Sequence, residues 1–283
     1  MEVGIGLPNV VPGTPGRAIV EWARRAEDAG FSSLGTIGRL TYPNYEELVA
    51  LSAAAGATQR IGLVTAVLLA PLRRTALLAK QAASLNAISG GRLTLAMAVG
   101  GREDDFEVAG VPFHRRGAIF DEQLEELGRL FAGEERGDGH PIVPQGAPAP
   151  TLLIGGQVDR AFQRAARHGA GWIQGGGGAD AFAESLPKLE RAWSDAGREG
   201  EPRRMALTYF SLGDDPEGQA KRSIGHYYAF LGEYADMIVG STLKSPDAIK
   251  RTVAAYEEHG CDELILFPAS GDPAQVDLLR DAL

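Results

Sequence analysis

A chain of 283 residues, 44% of them hydrophobic, is long and apolar enough to bury a full core without covalent staples. Its formal net charge of −9 excludes the basic stripe that nucleic-acid binding needs and slightly disfavours anionic membrane surfaces. Cys261, the single cysteine, excludes an internal disulfide and any cysteine-based metal site. The opening residues Met1–Gly6 lack the basic start and long apolar core of a signal peptide. No apolar run approaches the roughly 18–20 residues that span a bilayer. A cytoplasmic protein is the expectation.

Short apolar runs alternate with segments of helical period. Val3–Leu7 is a first strand entering the Pro/Gly-rich loop Pro8–Gly16, and Arg17–Gly30 is a helix with Ile19, Trp22, Ala23 and Ala26 on one face and Gly30 as its stop. Phe31–Ile37 reads as a strand, Tyr45–Gly56 as a helix, Ile61–Ala70 as a strand, Leu77–Ile88 as a helix and Leu93–Val99 as the fourth strand. A polar stretch, Gly133–Pro150, precedes the second half. There Thr151–Ile154, Gly171–Gln174, Ala206–Leu212 and Glu263–Pro268 are strands. Ala161–His168, Ala181–Ala196, Glu217–Phe230 and Asp247–His259 are helices between and after them, and Asp272–Leu283 is a closing helix.

Strands of near-continuous hydrophobicity alternating with helices imply an α/β fold with a parallel sheet covered on both faces. A closed barrel and an open doubly wound sheet both fit. Eight such units in a chain of this length favour a (β/α)8 TIM barrel, and the first strand-to-helix turn lacks the G-x-G-x-x-G of a dinucleotide-binding domain. Gly133–Pro150 would make a linker only between two halves too poor in strands to stand alone, so residues 1–283 are expected to form one domain.

Barrel chemistry sits where strands run into the following helices. Gly100-Gly101-Arg102 follows the fourth strand: the glycines let a flat ligand lie against bare backbone, and Arg102 offers a cation for phosphate or carboxylate. The alternative reading is an ordinary turn before a solvated charge run. Gly155-Gly156-Gln157 ends the fifth strand at a helix N-terminus, a natural anion site. Gly175–Gly178 follows the sixth strand and suits either a phosphate or a flexible loop. Together these loops suggest an extended, phosphate-bearing cofactor. Among the histidines only His114 and His226 are plausible site residues, so no metal centre is expected. Every lysine falls in or beside a helix, which disfavours Schiff-base chemistry, and no G-x-S-x-G elbow is present. With few acid, base or nucleophile candidates, a cofactor is expected to carry the chemistry.

The runs Leu63–Pro71, Leu85–Leu93, Asp105-Phe106 with Gly110, Pro150–Gly156, Arg164–Ala166 and Gly171–Ile173 resemble the bacterial luciferase-like flavin-dependent oxidoreductases, from Glu2 to about Pro268. The resemblance implies a luciferase-like barrel that binds reduced FMN or the deazaflavin coenzyme F-420 at the strand C-termini. It implies a non-proline cis peptide at Ala66–Val67 beneath the cofactor ring. The family's acid–histidine pair is replaced here by Gly38 and Arg39, so Arg39 would bind an anion or steady negative charge. Val99 stands where luciferase has a phosphate-binding arginine, with Arg102 as a substitute, and Gln157-Val158 replace the usual serine or threonine. His114 is placed to reach the substrate face, or is a surface histidine beside two helix-starting arginines.

The function so implied is a monooxygenase that uses reduced FMN and O2 on a small organic substrate, supplied by a separate flavin reductase and assembled as a homodimer. Deazaflavin-dependent hydride transfer is the alternative enzyme. A non-catalytic flavin-binding protein is the alternative outside enzymes.

Overall fold

Strands covered on both faces have no use for a polar side, and the eight apolar runs behave accordingly. In the computed structural model, which describes residues 1–283, they are β1 (Glu2–Gly6), β2 (Ser33–Thr36), β3 (Gly62–Leu69), β4 (Leu93–Ala98), β5 (Thr151–Gly155), β6 (Gly171–Gln174), β7 (Arg203–Phe210) and β8 (Glu263–Pro268). Each pairs in parallel with its neighbours in sequence, and β1 pairs with β8 through Glu2–Glu263 to Ile5–Leu266, which closes the barrel. The expected (β/α)8 TIM barrel is therefore the fold. The β3–β4 register shifts between Thr65 and Leu68, and the bond between Ala66 and Val67 inside that irregularity is cis, as the family resemblance implied.

Two packed layers result. Inward-facing residues such as Val64, Ala96, Leu153, Ile173, Met205 and Ile265 fill the barrel. Phe267 of β8 lies in space that side chains on Gly6 and Gly35 would occupy, so both positions require glycine for packing. The larger layer lies between strands and helices, where α1 (Gly16–Asp28) buries Ile19, Trp22, Ala23 and Ala26 at helical spacing.

The remaining helices are α2 (Glu47–Ala57), α3 (Thr75–Ile88), α4 (Glu103–Ala109), α5 (Arg116–Phe131), α6 (Asp159–His168), α7 (Gly178–Asp195), α8 (Pro216–Ala220), α9 (Tyr234–Ser241), α10 (Pro246–Glu258) and α11 (Ala274–Ala282). No helix is long and apolar enough to cross a membrane.

Three departures from the sequence reading bear on the site. The expected helix Glu217–Phe230 is instead α8, a π turn over Lys221–Gly225 and a 3-10 turn over Ala229–Leu231. Helices α4 and α9 were not anticipated, both being too short for periodicity to work on, and of the longer α5 only its starting arginines were read. The polar stretch Gly133–Pro150 carries a small antiparallel ladder, Glu135–Arg136 against His140–Pro141, on the outside of the barrel.

Candidate functional site

A cavity of about 880 Å³ opens at the C-terminal ends of β5, β6 and β7. Gly156 and Gln157 line one side, Gly175–Gly178 the next, and Thr208 and Tyr209 of β7 a third. The loop after β6 turns through Gly176 (φ +122°) and Gly177 (φ +108°), conformations that side chains resist. Gly177 is the N-cap of α7 and brings no side chain to its free N–H groups. The positive end of an 18-residue helix thus meets the cavity through bare backbone. The Gln157 side-chain amide donates to the Gly176 carbonyl at 3.1 Å and ties the two glycine loops together. Arg251 of α10 is the only cation on the wall, exposed and without an ion-pair partner, and Asp180 is the only acid. This is the electrostatic arrangement of an anion site.

A groove of similar size, about 950 Å³, lies on the outer surface between α5, α6 and α7. It is lined by helix-surface side chains, with Arg164 paired to Asp121 at 2.6 Å, and it lies away from the strand ends. The barrel-mouth cavity is the better candidate for chemistry.

Beside that cavity the irregular part of β3 meets Gly155. A Cβ there would stand 3.1 Å from Val67 Cγ1 and 3.4 Å from Ala98 Cβ, so glycine lets β5 close against the cis peptide. Gly100 (φ +78°) packs near Phe106 and Leu69, while Gly101 faces open space.

A second cluster is polar and aromatic. Gly38 leaves room for the Glu47 carboxylate, which a side chain there would strike. Arg39 follows, donating to Asp104 Oδ2 at 2.7 Å and to the Tyr227 carbonyl at 3.4 Å. Asp105, wholly buried, accepts from the Leu40 and Thr41 backbone N–H groups at 3.0 and 2.7 Å. Arg102 lies over the rings of Tyr227 and Phe230, 4.4 and 4.2 Å from their centroids, and its Nη1 is buried without a hydrogen-bond partner. The Tyr42 hydroxyl lies 2.8 Å from His226 Nδ1, and those of Tyr209 and Tyr228 are 2.7 Å apart. Residues 226–231 are thereby held against the loops after β2 and β4 by two arginines.

The structure brings Gly156, Gln157, Gly175 and Gly176 into one cavity and places Gly155 against Val67. It sets Arg39 and Arg102 together, but around Tyr227 and Phe230 and off the cavity wall. His114 is exposed on the 3-10 turn Phe113–Arg115 and does not line the cavity. Thr208, Tyr228, Arg251 and Tyr256 line it and were not singled out for it from sequence; only Tyr228, two residues after His226, lay near a residue that was.

Fold and cavity together define a (β/α)8 barrel with a candidate ligand cavity on the C-terminal face, the side on which barrel enzymes work. The family model for luciferase-like monooxygenases matches residues 1–277, and the chain belongs to that family of oxidoreductases. An uncharacterized protein of Mycobacterium tuberculosis is 35% identical, over 62% of this chain and 71% of the relative. Among solved structures, an F420-dependent secondary alcohol dehydrogenase in complex with an F420-acetone adduct superimposes with a TM-score of 0.82 at 17% identity, covering 100% of this chain and 98% of that one. The oxygenating constituent of 3,6-diketocamphane monooxygenase from Pseudomonas putida, in complex with FMN, gives 0.76 at 17% identity, covering 99% and 95%. At such identities these two structures establish the shared fold.

Proposed function

We propose that this protein is a flavin-dependent monooxygenase that uses reduced FMN and O2 on a small organic substrate. The observation that carries the reading is the cradle made by Gly175–Gly178, the uncapped N-terminus of α7 and Arg251, which suits a phosphate at the end of an elongated ligand. The glycines and Arg251 hold the phosphate, and Gln157 keeps the two loops in register. Ala66, Val67 and Gly155, packed together beside the cavity, would form the floor beneath a ring. Gly100 and Gly101 extend that floor on the β4 side. Arg39 and Arg102 clamp residues 226–231 over the mouth and limit the entry of water. Reduced FMN, when bound, supplies the reaction with oxygen; the chain itself binds, orients and shields.

A second reading, hydride transfer from reduced coenzyme F-420 without oxygen, is favoured by the likeness to the F420-dependent dehydrogenase. The glycine cradle serves either cofactor. We also propose a homodimer through α2 and α3, which expose Val49, Leu77 and Ile88 to solvent at 66, 57 and 75%. A separate flavin reductase would supply the reduced cofactor.

Titration of the apo-protein with FMN and with coenzyme F-420, each oxidised and reduced, tests the reading. Preferential binding of reduced FMN and substrate-dependent oxygen consumption are expected. Preference for the deazaflavin would transfer the assignment to hydride transfer. Dissociation constants weaker than about 100 μM for both (about −5.5 kcal/mol) would overturn the cofactor reading altogether.

A further inference from the structure

Two hydroxyls in the cavity wall are left with one proton too many. Tyr209 comes from the end of β7 and Tyr228 from the segment between the π turn and the 3-10 turn. Their oxygens are 2.7 Å apart and their rings meet nearly edge to face, at 77°. Neither hydroxyl has any other hydrogen-bond partner within the protein, and both residues line the cavity. Two phenols carry two O–H protons, and the bond between them consumes one. Whichever phenol donates to the other, one O–H is left without an acceptor in the protein, on a residue of the cavity wall.

The surroundings say what kind of acceptor fits. Burial, then the neighbouring phenol of Tyr228, hold the Tyr209 hydroxyl well above its ordinary range, and burial raises that of Tyr228. Both are therefore neutral donors at physiological pH. Arg102 lies over the Tyr228 ring, 5.5 Å from its centroid. It polarises the phenol without competing for its oxygen. Leu207, Ile238 and Leu243 share the wall, whereas its one cation, Arg251, stands on α10. A neutral oxygen on an apolar body matches this part of the cavity, and an anion matches the glycine loops and Arg251.

We propose that Tyr209 and Tyr228 act as one hydrogen-bond donor that recognises a carbonyl or hydroxyl oxygen of an otherwise apolar substrate. The pair fixes that oxygen at the cavity wall. This inference rests on the reading of the cavity as the cofactor and substrate site.

Cyclohexanone and methylenecyclohexane, nearly the same shape with and without the acceptor, are the probes. Their binding to the FMN-loaded full-length protein is measured by ligand-observed NMR, and the carbonyl stretch of bound cyclohexanone by difference infrared spectroscopy. Wild-type protein is expected to favour the ketone by about 3- to 10-fold, the worth of one neutral hydrogen bond. Its carbonyl band should move to lower frequency.

The Tyr209→Phe/Tyr228→Phe double variant is expected to lose preference and shift while still binding FMN. Each single variant retains an unshared O–H, so the loss in the double should exceed either single loss. Wild-type protein that binds FMN but shows no ketone preference, or an unshifted carbonyl, overturns this inference alone. Failure of wild-type protein to bind FMN or coenzyme F-420 overturns the cofactor reading as well. A double variant that keeps both preference and shift also overturns the inference. Should the double variant not fold, the wild-type carbonyl band decides.

Discussion

Asp105 offers a direct test of how the barrel mouth is held. Its side chain is wholly buried, and Oδ1 accepts from Leu40 N at 3.0 Å, Thr41 N at 2.7 Å and Thr41 Oγ1 at 2.8 Å. Oδ2 faces Arg39 Nε at 4.0 Å, and neither atom has another partner. In Asp105→Ala the Thr41 hydroxyl and the Arg39 guanidinium both keep Asp104 Oδ2, each at 2.7 Å. The uncompensated loss is therefore two backbone N–H groups and one buried charge pair. A hydrogen bond to a charged group is worth about 1.5–3 kcal/mol, and such losses within one network do not simply add. The expected cost is about 3–5 kcal/mol, a large part of the roughly 5–15 kcal/mol that holds a typical domain folded. Asp105→Asn keeps an acceptor for the loop but turns an amide towards Arg39, so about 1–3 kcal/mol is expected. Urea unfolding at neutral pH with an unchanged m-value measures both. A loss below about 1 kcal/mol in Asp105→Ala would refute the claim that this carboxylate organises the loop after β2.

Gly177→Ala places a Cβ 3.2 Å from Ala181 Cβ at φ +108°, so about 1–3 kcal/mol of stability should be lost, with FMN affinity falling at least about 10-fold. Thermal melts and FMN titration check this, and an unchanged affinity would count against the glycine cradle. Burial pushes the Cys261 thiol up to about 12, so it stays protonated at pH 8 and should react with a disulfide reagent only on unfolding. Rapid labelling in native buffer would contradict that. Burial also raises the Glu47 carboxyl above its usual 4.5, so the folded state holds this proton more tightly than the unfolded chain. The stability this contributes is fully present below pH 4.5 and is lost as pH rises through the raised value. Glu47→Gln should therefore gain on wild type as pH rises above about 4.5, with Arg73 still paired to Glu46 at 2.7 Å, and parallel stability curves would exclude the effect.

Strand positions were legible because burial on both faces leaves uninterrupted apolar runs. Gly171–Gln174 and Glu263–Pro268 agree end to end with β6 and β8. The seventh strand was placed late, at Ala206–Leu212, because Arg203 and Arg204 look like loop residues. The polarity of Arg203 is satisfied at the opposite end of the barrel, on Glu263 at 2.6 Å, and no local pattern encodes a pairing that distant in sequence.

The same division runs through the candidate site. Clustered glycines at the ends of strands mark a local requirement for backbone freedom or close approach, so the loops after β4, β5 and β6 could be read directly. Arg251 occupies an ordinary helical position, and only the placement of α10 against the barrel turns it towards the cavity. The segment after α8 fails as a helix for the same kind of reason. Tyr227 and Phe230 are gripped by Arg39 and Arg102, more than a hundred residues away in sequence, and Tyr228 is hydrogen-bonded to Tyr209. Cation–π contacts worth about 0.5–2 kcal/mol each, together with a buried phenol pair, stabilise an irregular path where periodicity favours a helix. Substitutions at Arg39 and Arg102 should therefore act first on the conformation of residues 226–231, and through it on the placement of the Tyr228 hydroxyl.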